Sequence, residues 1–185
     1  MSPEVQRKVL TRARALLGTP YELGGRGRAG EGIDCQGVVF RALEAAMTCG
    51  YQSFSVLNVK NLRDGELGEP VPGLAPVAAA ALDVSALQPG DVIWLVSPDE
   101  NPAEGAIARL DGRAVWVWHT GLYVGDGRWL VGDHFAGEAV ETDLRVYLSA
   151  HATTYSGVFV LRMALGPKPK RCRPPRAKDA LSVER

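Results

Sequence analysis

Between Asp91 and Met163 the chain alternates short apolar, β-forming runs with tight-turn signals, and that rhythm leaves it few folds. Val92-Ile93-Trp94-Leu95-Val96 follows the turn Gln88-Pro89-Gly90 and reads as a buried strand. Asp111-Gly112 divides residues 106–118 into two apolar runs, and Gly125-Asp126-Gly127 divides the segment from His119 to Val124 from Trp129-Leu130-Val131. Two-residue Asp-Gly connections suit hairpins, and a parallel neighbour would need a crossover of a dozen residues or more, so these strands pair antiparallel. A last strand is expected at residues 158–163.

Helices come earlier. Val5, Val9, Ala13, Leu16 and Leu17 recur at helical spacing before Gly18-Thr19-Pro20 stops the pattern, which predicts an amphipathic helix over residues 4–17. A glycine-rich loop from Tyr21 to Gly32 follows. Asp34 then offers an N-cap, and Val38, Ala42, Ala45 and Ala46 continue at i, i+4, i+7 and i+8, so Cys35 falls in the first turn of a second helix. Helices ahead of an antiparallel sheet define an α+β class.

A chain of 185 residues, 46% hydrophobic and 23% charged, has material for one core. Residues 1–165 are assigned to one domain, with 48–88, rich in Gly, Pro and Ala, as an insertion or cover over that core. Residues 166–185 form a basic, proline-rich tail expected to be disordered. Lys plus Arg and Asp plus Glu both number 21, so the net charge is zero and no nucleic-acid partner is expected. No long apolar run suggests a membrane span or a signal peptide, which places the chain in the cytoplasm by default, with export by a non-Sec route as the other course. Its 3 cysteines, Cys35, Cys49 and Cys172, form no CxxC pair, so free thiols are expected, with no metal site and no cofactor.

Cys49 reads as a small core hydrophobe. Cys35 stands at a helix start, where unpaired amide N–H groups and the helix dipole favour thiolate over thiol. A cysteine nucleophile needs a base within hydrogen-bond reach and a third group to hold that base. Among the 3 histidines, His119 sits between the strand Val115-Trp116-Val117-Trp118 and the segment that begins at Thr120. His151 reads as a surface residue. Strand alternation from Val131 puts Asp133 on the face of a base at His119 and His134 on the other, so Asp133 is the third candidate, with His134 taking its place if a bulge intervenes. Of Trp94, Trp116, Trp118 and Trp129, most are expected in the core.

Four strings together resemble the NlpC/P60 family: Gly18-Thr19-Pro20-Tyr21 with Gly24-Gly25, Asp34-Cys35-Gln36-Gly37, Leu87-Gln88-Pro89-Gly90-Asp91, and His119-Thr120-Gly121-Leu122-Tyr123-Val124-Gly125. They follow the family order G-x-P-Y-x-x-G-G, D-C-S-G, L-x-P-G-D-L, H-V-G-I-Y-x-G, over about residues 5 to 163. Gln36 stands where the family usually has serine. The resemblance implies a papain-like fold and a cysteine peptidase or amidase acting on cell-wall peptides, commonly at a D-γ-glutamyl bond to a diamino acid. It implies Cys35 as nucleophile, His119 as base, Tyr21 beside the nucleophile and Asp34 near a substrate amine. Two alternatives stay open: a catalytically silent binding or assembly domain, and an acyltransferase using the same thiol.

Overall fold

The structure is a computed structural model that describes residues 1–44, 68–102 and 105–163. Helix α1 spans Pro3–Arg14. The Ser2 side chain accepts from Val5 N–H at 3.4 Å, Pro3 occupies the first turn, where its missing N–H costs nothing, and Val9 and Ala13 are buried. Helix α2, Cys35–Glu44, is capped by Asp34, whose Oδ1 accepts from Gly37 N–H at 2.6 Å.

Strands β1 (Glu69–Pro70), β2 (Val77–Ala78), β3 (Val92–Ser97), β4 (Ala108–Leu110), β5 (Arg113–Gly125), β6 (Arg128–Asp133), β7 (Glu138–Asp143) and β8 (Gly157–Arg162) form one antiparallel sheet. Its order is β1-β8-β3-β5-β6-β7, with β2 on β8 and β4 on β5. Both hairpin turns form as expected. Asp111 and Gly112 have φ of 49° and 77°, and Asp126 and Gly127 have 52° and 74°, the left-handed pairs that match the twist of the flanking strands. Strand β3 is buried along its whole length at the sheet centre.

The sheet separates two cores. Helices α1 and α2 pack with Trp94, Leu122 and Leu130 on one face. The other face holds Ile93, Tyr123, Trp129 and Val131 under helix α3, Leu144–Ala150, with Leu74 and Leu82 from the described part of the expected cover. That part, residues 68–88, runs along β8 through β1, β2 and two short 3₁₀ turns. Residues 48–67 of the cover, Cys49, and the tail from Gly166 with Cys172 lie outside the described residues.

Three features depart from the sequence reading. The first helix ends at Arg14, with residues 15–18 as turn. Strand β7 and helix α3, whose N-cap Asp143 accepts from Val146 N–H, went unforeseen. His119 also lies inside the single long strand β5, not at a junction between two segments.

Candidate active site

Strand β5 carries a bulge, and the bulge decides where His119 points. Leu95 pairs with His119 and Val96 with Val117, so Trp118 is the extra residue opposite that step. Before it, Val115 and Val117 face the α1–α2 core; after it, Leu122 and Val124 do, while Tyr123 faces the opposite core. A one-residue insertion exchanges the faces of all that follows. His119, in phase with Tyr123, is thereby turned away from the helices and into a nest of aromatic rings.

That nest encloses the imidazole. Its ring stacks on Tyr155 at 5.9 Å and 7° and on Tyr147 at 6.1 Å and 18°, and meets Trp129 edge-on at 5.9 Å. His119 is 3% exposed, and its Nε2 is buried without a hydrogen-bond partner. Burial, followed by the neighbouring His134 and His151, pushes its pKa down to about 3, so the ring is neutral over the physiological range.

Cys35 reaches the same place from the other side. Gly132 in β6 makes this approach possible: a Cβ there would lie 2.6 Å from Asp34 O and 3.0 Å from Cys35 N. The pairing of β5 with β6 is recorded from Gly125–Arg128 as far as Leu122–Leu130, and the start of α2 lies against β6 beyond that point. Gly37 gives the preceding loop the same freedom, since its Cβ would lie 2.6 Å from Gly25 O. Arg41 clamps the loop by donating to Arg26 O at 2.8 Å and Gly27 O at 3.1 Å.

The expected thiolate is not the resting form. Burial pushes the Cys35 thiol up to about 12 and the adjacent Asp34 carboxylate adds to the rise, while the Thr120 and Gln36 amides and Arg26 pull it down. Helix-end amides help an anion, but desolvation plus a like charge outweigh them here. Cys35 and His119 thus face one cleft as neutral thiol and neutral imidazole, the protonation states that general-base attack starts from.

The cleft has a volume of about 1010 Å³ and includes Tyr21, Asp34, Cys35, His119 and His134 in its lining. Tyr21 is fixed by its N–H donating to Gly137 O at 2.8 Å, and its ring lies 6.0 Å from His134. Asp34 is committed on both oxygens, to Gly37 N–H and to Gly24 N–H with the Arg26 guanidinium, so a substrate ammonium would compete with Arg26. A more open cleft of about 860 Å³ shares only Tyr21 with the first and holds neither Cys35 nor His119.

Asp133 does not hydrogen-bond His119. The β5–β6 register, continued, sets the two opposite each other, and Asp133 is buried. Its Oδ1 instead accepts from Phe135 N–H at 2.9 Å and Tyr147 Oη–H at 3.4 Å. A short carboxylate at a strand end satisfies the nearest turn amide first. His134 was expected on the far face, yet the turn after β6 takes it out of strand alternation, and its ring meets that of His119 at 6.1 Å. His151 is half-buried, 4.4 Å from the Tyr147 ring and 4.3 Å from Phe135, so the chain's 3 histidines converge. Sequence reasoning missed Phe135 and Tyr155 as cleft residues, for which no local pattern gave a signal, and left open which tryptophan lies outside the core; Trp118 is exposed and lines the cleft.

Among the described residues no His, Cys, Asp or Glu cluster could hold a metal ion, and no helix is long and apolar enough to cross a membrane. No family model matches the sequence, and no curated protein matches it. Solved structures do. NlpC2 from Trichomonas vaginalis aligns with a TM-score of 0.55 and 17% identity over 88% of this chain and 48% of that one. NlpC1 from the same organism gives 0.52 and 19% over 88% and 45%. A hypothetical invasion protein of Mycobacterium tuberculosis gives 0.50 and 18% over 86% and 62%. This chain spans about half the length of the two Trichomonas proteins. At such identity the likeness is one of fold, and it agrees with the α+β architecture and the helix-before-sheet order found here. The chain has the papain-like fold of the NlpC/P60 proteins.

Proposed function

We propose that this chain is a cysteine hydrolase that cleaves an amide bond in cell-wall peptides of the D-γ-glutamyl-diamino acid type, or in a related γ-glutamyl compound. The observation that carries the reading is the meeting of Cys35, from the start of α2, with His119, from a bulged strand, in one cleft. The substrate class comes from the four strings that resemble the NlpC/P60 family, and the likeness in fold to NlpC1 and NlpC2 is consistent with that resemblance.

In this reading Cys35 Sγ attacks the carbonyl while His119 takes the thiol proton. The Cys35 N–H, in a helix turn whose amides have no intrahelical acceptor, faces the developing oxyanion. His119 passes the proton to the leaving amine as the C–N bond breaks, and water then hydrolyses the thioester, releasing the acid and the thiol. Asp133 acts as a positioning residue through Tyr147, whose ring stacks on the imidazole. Tyr21 stands beside the nucleophile.

The test is mass spectrometry of products from a panel of muropeptides and γ-glutamyl peptides, with Cys35→Ala as control. Products from the parent and none from the variant are expected; equal turnover by both would overturn the reading. The unpartnered Nε2 of His119 and the high pKa of Cys35 favour a second reading, a silent binding domain that uses the same cleft. An active centre gives a Cys35 label from iodoacetamide that a bound substrate analogue blocks, whereas a silent domain gives binding without turnover.

A further inference from the structure

The walls of the Cys35 cleft are more apolar, and more negative, than a substrate rich in carboxylates would call for. Of the large hydrophobic side chains exposed on the described surface, three line this cleft: Leu23, Trp118 and Phe135. Two are held rigidly. Trp118 Nε1–H donates to Asp99 O at 2.9 Å, and the Phe135 ring lies 3.7 Å from His134 and 4.3 Å from His151. Aromatic groups fixed in advance lose little entropy when an apolar group settles on them.

The charges in the lining point the same way. Asp34, Asp99 and Glu100 line the cleft, and among the described residues no Lys or Arg does. Asp34 is neutralised by Arg26 behind the wall. Asp99 and Glu100 have no cationic partner among the described salt bridges and stand exposed beside Trp118. A carboxylate next to the scissile carbonyl would enter a cleft whose lining carries these like charges and, among the described residues, no cation to receive it.

We infer that the cleft selects an amide substrate that places an apolar group against Trp118 and Phe135 and carries no free carboxylate beside the scissile bond, such as a γ-glutamyl peptide whose α-carboxyl is amidated. The inference rests on the hydrolase reading for the bond attacked, but the selectivity belongs to the cleft and can be measured without turnover. An amidated α-carboxyl keeps the hydrogen-bonding shape of the peptide and removes its charge. A leaving group with a free amine is compatible, since Asp99 and Glu100 would attract it.

The experiment compares alkylation of Cys35 by iodoacetamide, iodoacetate and N-benzyl iodoacetamide, each rate divided by that for N-acetylcysteine. Iodoacetate should be disfavoured by about tenfold beyond its free-thiol ratio, the scale of a like-charge encounter near a protein surface. The benzyl reagent should be favoured by about tenfold, the scale of a modest apolar contact. Asp99→Asn with Glu100→Gln should shrink the first ratio, and Trp118→Ala or Phe135→Ala, both at exposed positions, the second. Free-thiol ratios in the parent, or ratios that none of these variants changes, would overturn the inference. A matched pair of γ-glutamyl peptides, amidated and free at the α-carboxyl, separates the two readings. Equal kcat/KM for both peptides defeats the selectivity and leaves the hydrolase intact. Selective labelling without turnover of either defeats the hydrolase and leaves the selectivity.

Discussion

Replacing Asp34 with Asn removes the carboxylate that raises the Cys35 pKa from within the same turn of chain. The thiol stands at about 12 against a reference of 9.0, so at neutral pH its thiolate fraction is about a thousandfold below that of a free cysteine, by tenfold per unit. Burial is the larger cause and Asp34 the second. Removing the second should lower the thiol pKa and raise the alkylation rate at fixed pH by about tenfold, the scale of one nearby like charge at a protein site. Asparagine caps helices as well as aspartate, so the bond to Gly37 N–H survives, and Arg26, freed from its partner, adds a positive charge that acts in the same direction. The assay is iodoacetamide labelling from pH 6 to 10, followed by mass. Parent and variant should both rise with pH, the variant displaced upward, and neither should level off below about pH 9. Arg26→Gln supplies the control of opposite sign. It breaks the same ion pair but leaves the carboxylate uncompensated, so labelling should slow. If both variants label faster, the ion pair merely holds the loop shut and the electrostatic account is wrong. A parent that levels off near pH 8 would also refute it.

His119 makes folding pH-dependent. The unfolded ring binds a proton near its reference 6.5, the folded one only near 3, so the unfolded state holds more protons in between and stability falls as pH drops through that window. Between pH 7 and 5 the parent should lose about 2 kcal/mol on this account, and His119→Gln should show a flatter dependence in urea titrations; parallel curves would contradict it. Gly132→Ala should cost about 1–3 kcal/mol by thermal or urea unfolding and slow Cys35 labelling or turnover, because the added methyl meets backbone that cannot swing aside. Tyr147→Phe removes the hydroxyl from Asp133 while keeping the ring on His119, so stability should change by about 1 kcal/mol. Under the hydrolase reading, Asp133→Ala should lower kcat more than Tyr147→Phe; equal, negligible effects would remove Asp133 from the site.

Much of the architecture was legible because it is written in short-range terms. The spacing of Val5, Val9 and Ala13 marks α1, Asp34 starts α2, and Asp111-Gly112 and Asp126-Gly127 make the two hairpins, each through contacts spanning a few residues. Strand β3 was legible as a continuous apolar run, and it is buried throughout. Strand β7 was not: residues 138–143 carry three acidic side chains and have no run of β-formers, and they are held in the sheet by pairing with β6. Helix α3 is a seven-residue segment whose stability comes from packing over Trp129 and Val131.

At the site, the sequence by itself determined that Cys35 opens a helix, that His119 adjoins β-forming runs, and that a glycine-rich loop precedes the cysteine. Cap chemistry, side-chain period and glycine's freedom are properties of neighbouring residues. Only the tertiary structure decided that His119 faces the cleft, because the bulge at Trp118 exists only in register with Leu95 and Val96. It alone set Asp133 on Tyr147 instead of His119, brought His134 and His151 to the same ring nest, and raised the Cys35 thiol. Facing and desolvation depend on what distant segments bury, and no local pattern carries that information.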